Sequence, residues 1–338
     1  MDLNVLWFLL VGVILTGYAI LDGFDLGVGI LHLFTKGDME RRISMNSIGP
    51  VWDGNQVWLV VGGGALFAAF PEVYATAFSG FYDAFMLLLF TLVFRGVAIK
   101  FRSKRPGATW RRTWDVLFSV GSFGAALLLG VALGNLAKGV PLDEHRNATM
   151  GFLDLLNPYA VTVGVTAVAL LALHGAIYLV LKTEGEMQAR VRGWVQPLMI
   201  SFILMYAITT LATLLYQVHL TERFRQNGAL LAVPVAAVLV IANIPREIHH
   251  GRDWNAFLSS AASIALLMAL AGIGLYPNLI LSNPDPRHSL TIYNSASTQA
   301  TLTTMLIMVI VGLPMVVAYT TVIYWVFRGK VRLDHQSY

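Results

Sequence analysis

A chain of 338 residues that is 57% hydrophobic and only 12% charged is too apolar to fold around one water-soluble core. Its net charge of +4 is of a size that reports membrane topology, so no acidic partner such as nucleic acid is expected. There are no cysteines, which excludes disulfides, thiolate metal sites and cysteine-attached haem.

Apolar runs bounded by charged or Pro/Gly breaks predict an all-α membrane protein with nine transmembrane helices, at about 5–34, 50–70, 78–99, 113–137, 159–181, 195–217, 229–244, 256–281 and 299–327. The first run has no basic residue ahead of it and continues into Asp22-Gly23-Phe24-Asp25. It therefore lacks the leader and cleavage site of a signal peptide and is expected to stay in place. The second opens after Pro50 on Trp52-Asp53-Gly54-Asn55-Gln56-Val57-Trp58, the third carries Arg95, and the fourth opens on Trp114-Asp115. Spans five to nine hold no Asp, Glu, Lys or Arg in their apolar stretches, and His174 is their one ionisable side chain of note. Three regions follow: a polar-residue-bearing bundle over 1–137, an outer loop over 138–158, and an apolar second bundle with the last helix and a cytoplasmic tail over 159–338. Small residues at Gly23, Gly27, Gly29, Gly62-Gly63-Gly64, Gly130 and Gly134 predict close helix packing.

Connections after odd-numbered spans hold three basic residues (Lys36, Arg41, Arg42), six (Lys100, Arg102, Lys104, Arg105, Arg111, Arg112), three (Lys182, Arg190, Arg192), two (Arg246, Arg252) and three (Arg328, Lys330, Arg332). The other side holds only Lys138, Arg146, Arg223, Arg225 and Arg287. Seventeen against five puts the N-terminus outside and the C-terminus in the cytoplasm, a parity that needs an odd number of spans. Trp110, Trp114, Trp194, Trp254 and Trp325 lie beside the basic connections and read as interfacial anchors.

An ionisable group inside hydrocarbon is costly and usually faces a protein interior, a water path or a cofactor. With a rise of about 1.5 Å per residue, Asp22 and Asp25 lie roughly 14–18 Å before the inner end of the first helix, near mid-membrane and on one helix face. Asp53 falls in the opening turn of the second helix, where the dipole favours a carboxylate and where Asn55 and Gln56 can order water beside it. Asp22, Asp25, Asp53, Arg95 and Asp115 thus gather in the cytoplasmic half. They are read either as ion pairs that lock four helices, with Arg95 as counter-ion, or as a hydrated proton path, since four carboxylates against one arginine leave acceptors in excess. Trp52 reads as an anchor or as a ring that meets a cofactor in a partner chain. His174 reads as a packed, hydrogen-bonded residue rather than a haem ligand, and His249 and His250 as solvated.

The segments Leu21-Asp22-Gly23-Phe24-Asp25-Leu26-Gly27-Val28-Gly29, Asn46 to Trp58, Gly63-Gly64-Ala65-Leu66-Phe67-Ala68-Ala69-Phe70-Pro71, Phe94-Arg95-Gly96 and Trp114-Asp115 closely resemble subunit II of the cytochrome bd-type quinol oxidases. The resemblance implies two four-helix bundles plus one helix in a bacterial or archaeal cytoplasmic membrane. It implies a heterodimer with a subunit I that ligates haem b and haem d, oxidises ubiquinol or menaquinol and reduces O2 to water, with small accessory subunits and a structural quinone or lipid as possible additions. It places Asp53 in a water-filled channel from the cytoplasm, with Asp22, Asp25, Arg95 and Asp115 as further polar positions and Trp52, Asn55 and Gln56 lining the path or near a haem. The rival readings are an independent proton-coupled transporter and a purely structural scaffold; the absence of recurring broken helices counts against the transporter.

Overall fold

The computed structural model describes residues 2–333; the end of the expected cytoplasmic tail, 334–338, lies outside the described residues. Twelve helices are present among them: α1 (Leu3–Leu31), α2 (Gly37–Ile48), α3 (Trp52–Ala69), α4 (Pro71–Gly80), α5 (Tyr82–Phe101), α6 (Ala108–Lys138), α7 (Pro158–Lys182), α8 (Gly185–Tyr216), α9 (Glu222–Gln226), α10 (Ala232–His249), α11 (Asp253–Leu275) and α12 (Gln299–Val326). Three of these helix starts are capped by side chains: Asp2 accepts from Asn4 N, Asn157 accepts from Ala160 N ahead of Pro158, and Thr298 accepts from Thr301 N.

Eight helices among the described residues are long and apolar enough to cross a membrane: α1 with its 3-10 extension to Phe34, α5, α6, α7, α8, α10, α11 and α12. The second expected span, 50–70, forms the continuous helix α3 but is not one of the eight, because Asp53, Asn55 and Gln56 crowd its start. The helix begins at Trp52, so Pro50 lies in the turn before it. Two further boundaries differ from the sequence reading. Residues 71–101 break at Phe81 into α4 and α5, and the eighth span stops at Leu275, followed by a short strand.

The long helix α1 packs against α3, α6, α7 and α11, which makes it the central post of the molecule, while α12 touches little besides α1 and α3. Close approach explains Gly27, which meets backbone, and Gly29, which meets a side chain, on α1. A Cβ on Gly27 would sit 2.0 Å from Leu171 O, one on Gly175 2.3 Å from the Gly27 carbonyl carbon, and one on Gly29 1.9 Å from Ser122 Oγ. Gly130 and Gly134 meet Gly164 and Ala160 in the same way. The expectation fails for Gly63 and Gly64, which face open space; only Gly62 of that triplet packs, against Leu15.

The expected 138–158 loop joins the connection between α11 and α12. Val140 N donates to Leu281 O at 2.8 Å and Asn283 N to Val140 O at 3.0 Å, and a small antiparallel pair, β1 (Asn278–Ile280) with β2 (Leu290–Thr291), closes the cap. Its apolar underside, including Val140, Leu142, Ile280 and Ile292, joins Trp7, Phe70 and Phe81 in one cluster.

Candidate functional site

Asp22 and Asp25 are completely buried on α1, and Arg95 reaches them from α5. Arg95 donates to Asp22 with both ends of its fork, Nη1 to Oδ2 at 2.9 Å and Nη2 to Oδ1 at 2.5 Å. That bidentate geometry satisfies Asp22. Asp25 receives less: Arg95 Nη2 is 3.7 Å from its Oδ2, and Asn55 Nδ2 of α3 donates to the same oxygen at 2.9 Å. Asp25 Oδ1 is buried and has no hydrogen-bond partner among the described residues. Two carboxylates share one guanidinium, so acceptor capacity exceeds the donors that face it.

Asn55 is itself held from two sides. Its Nδ2 also donates to Leu21 O at 3.2 Å, and its Oδ1 accepts from the Tyr324 hydroxyl of α12 at 2.8 Å.

A second ionic cluster lies where the C-terminal ends of α1 and α5 meet the N-terminal part of α6, around the buried Asp115. Its Oδ1 meets His32 Nε2 at 2.7 Å and accepts from Arg102 Nε at 2.5 Å, and its Oδ2 accepts from Arg41 Nη1 at 2.9 Å. Arg102 continues to Asp38 at 2.7 Å, and Arg111 closes the chain at 3.1 Å. The sequence neighbour Arg112 is exposed; the partners come from α1's extension, α2 and the segment after α5. Asp115 therefore clasps four segments together, and both its oxygens are occupied.

Asp53 belongs to neither cluster. It is exposed in the first turn of α3, on the side away from Asn55. The reason is helical period: positions two apart point about 200° from each other, whereas Trp52 and Asn55, three apart, share the inward face. The reading of Asp53 as one of the buried charges is corrected accordingly, as is the idea that Asn55 orders water beside it. Gln56, half-buried, does share the Asp53 side. Trp52 is turned into this chain and not toward a partner: its ring fills the space at Gly96 of α5, with Lys100 Nζ 5.8 Å above it.

His174 is fully buried and both its nitrogens are engaged. Ile20 O, which can only accept, lies 3.2 Å from Nε2, so Nε2 carries the proton and Nδ1 accepts from Ser260 Oγ at 2.8 Å. Its ring stacks on Phe257 at 5.0 Å, as the packed, hydrogen-bonded reading expects. The other buried histidine, His32, is tied to Asp115 and Ser44. Neither offers a free lone pair to an axial position, so the buried histidines of this chain do not fit a haem. His249 and His250 are exposed as expected. Sequence reading missed His32, Arg41, Arg102 and Tyr324. All four sit at or near span ends, where Arg is assigned to topology and Tyr to the interface, and nothing in their local pattern distinguishes them.

This fold and site define a polytopic helical membrane protein with buried ionisable groups on its first helix. The family model of cytochrome bd terminal oxidase subunit II matches residues 3–327, and the chain belongs to that family. It is 39% identical to the cytochrome bd-I ubiquinol oxidase subunit 2 of Escherichia coli strain K12, over 97% of this chain and 95% of that one. It is 36% identical to the cytochrome bd ubiquinol oxidase subunit 2 of Bacillus subtilis strain 168, over 98% and 97%. Among solved structures, the bd oxidase from Geobacillus thermodenitrificans superposes with a TM-score of 0.81 at 17% identity, covering 97% of this chain and 99% of that one, a likeness of fold.

Proposed function

We propose that this chain is the haem-free subunit of a respiratory quinol oxidase and supplies a cytoplasmic proton path to its haem-bearing partner. The partner carries the b- and d-type haems and performs the electron transfer from quinol to O2. Nine spans, with α3 as the ninth, the N-terminus outside and the C-terminus in the cytoplasm, complete the proposal. The basic connections support that orientation, and it places Asp53 at the inner mouth of α3. The two helix bundles divide near the 138–158 loop, and a lipid or quinone fills part of the surface that α12 leaves open.

The observation that carries the reading is the pair Asp22 and Asp25 against the lone Arg95, which leaves Asp25 Oδ1 buried and unpartnered inside a membrane-spanning helix. An intramembrane carboxyl with spare capacity is a proton carrier in waiting, whereas a saturated one is a fixed charge. Asp22 and Arg95 act as the fixed pair, and Asp25 as the group that exchanges. Asp115, saturated by two arginines and the His32 imidazole, holds the inner ends together outside the path. Asp53 and Gln56 present the entry on the outer side of α3, so the path runs along a face that the partner subunit closes. Protons drawn from the cytoplasm, with quinol protons released outside, generate proton-motive force without a pump.

The test is Asp25→Asn and Asp53→Asn in the intact complex. Both variants assemble with normal haem spectra and turn over at least tenfold more slowly. Normal turnover in both would leave a scaffold, and a chain that purifies alone and transports in vesicles would leave a transporter.

A further inference from the structure

A polar line runs from α12 through Asn55 to Asp25. Tyr324 lies near the inner end of a helix whose only fully buried residue is Leu302, at the opposite end. Its hydroxyl is nevertheless spent on Asn55 Oδ1, at 2.8 Å. Asn55 then directs both its hydrogens inward, one to Leu21 O and one to Asp25 Oδ2. Every polar atom of the amide is used, and the order of use is fixed by partner chemistry. Leu21 O and a carboxylate only accept, so the amide nitrogen must face them, which leaves Oδ1 for the donor on α12.

We propose that Tyr324 is a positioning residue that decides which oxygen of Asp25 carries the proton. Asn55 Nδ2 keeps Oδ2 as an acceptor, with Arg95 Nη2 3.7 Å away on the same oxygen. The remaining site is Oδ1, the atom with no partner. A proton arriving from a hydrated donor forms its O–H bond at Oδ1 and leaves by breaking that same bond, so the carboxyl returns to its starting state and no electron moves in this chain. The other groups facing Asp25 are Asp22 and Tyr18 of α1, Arg95 of α5 and Tyr178 of α7, and none of them touches Asn55 Oδ1.

Without the Tyr324 hydroxyl, Asn55 Oδ1 is left without its donor. The contact that fixes the amide's rotation is gone, and a turned amide, at the expense of its bond to Leu21 O, brings Oδ1 to a new donor, the protonated Oδ2 of Asp25. The proton is then held in an internal Oδ2–H to Asn55 bond and exchanges more slowly. A bond of ordinary net strength, about 1 kcal/mol or slightly more, slows release about tenfold.

This inference rests on the proton-path reading, and the experiment separates the two. Tyr324→Phe, Asn55→Leu, Asp25→Asn and the control Tyr319→Phe, an exposed tyrosine on the same helix, are each made in the full oxidase complex. The readouts are quinol KM, turnover, and the infrared carbonyl band of protonated Asp25, assigned by its loss in the Asp25→Asn complex. Y324F is expected to keep KM, lose about tenfold in turnover, and move the Asp25 band to higher frequency as its carbonyl oxygen loses the Asn55 donor. N55L, which removes the same donor directly, moves the band in the same direction, and Y319F matches the unaltered complex. If D25N is slow while Y324F keeps the normal rate and an unmoved band, positioning by Tyr324 is wrong and the path reading stands. If D25N itself turns over normally, the path reading has failed and this inference with it.

Discussion

Replacing Arg95 by Met removes the only guanidinium facing two buried carboxylates while keeping most of the side-chain volume. In the structure Asp22 loses two charge-assisted bonds, at 2.9 and 2.5 Å, and Asp25 loses a cation at 3.7 Å. Breaking a buried ion pair from one side typically costs about 3–5 kcal/mol, because a charge is left in low dielectric without its partner. Against a typical stability of about 5–15 kcal/mol, that is enough to deplete the folded chain. The double variant R95M/D22L removes the stranded carboxylate as well, and replacing both members of a buried pair by apolar groups is often close to neutral. The assay is the abundance of assembled complex in membranes, read by haem absorbance per unit of membrane protein. R95M is expected to fall at least tenfold and R95M/D22L to recover most of that loss. Wild-type abundance of R95M, or a double variant as depleted as the single, would refute the assignment of Arg95 and Asp22 as a mutually compensating pair.

Other outcomes follow from the same geometry. Gly175→Ala places a methyl 2.3 Å from the Gly27 carbonyl carbon, where backbone cannot yield, and is expected to cost about 3 kcal/mol, seen as a lower thermal midpoint of the purified complex. Gly272→Ala, facing open space on α11, leaves that midpoint unchanged or slightly raised. His174→Leu strands Ser260 and relieves no ligand, so it lowers stability by about 1–3 kcal/mol while the haem spectrum of the complex keeps its band positions. A lost or shifted haem band there would reveal a role in ligation that the hydrogen bonds deny.

Much of the architecture was legible because a membrane constrains sequence severely. Hydrocarbon demands about 20 apolar residues per crossing and internal satisfaction of every backbone group, so the eight apolar helices could be found by composition alone. The small residues of α1 were legible for a related reason, since only close backbone approach makes Gly27 useful. The polar opening of α3 weakened that same signal, which is why this helix was recognised by its motif more than by its hydropathy. Neither α2 nor the junction of the 138–158 loop with the connection between α11 and α12 could be read, because amphipathic and irregular segments outside hydrocarbon carry no comparable constraint.

The sequence by itself determined that carboxylates and one arginine are carried into the membrane on α1 and α5, because such residues are too costly there to be placed at random. Which charge meets which was decided by tertiary structure alone. Arg95 chooses Asp22 over Asp25, Asp115 is claimed by Arg102, Arg41 and His32 across three segments, and Asp53 faces outward while Asn55, two residues on, faces in. The physical reason is that pairing depends on helix rotation and on distances of about 3 Å between side chains 13 to 83 positions apart, and neither quantity is written in local order.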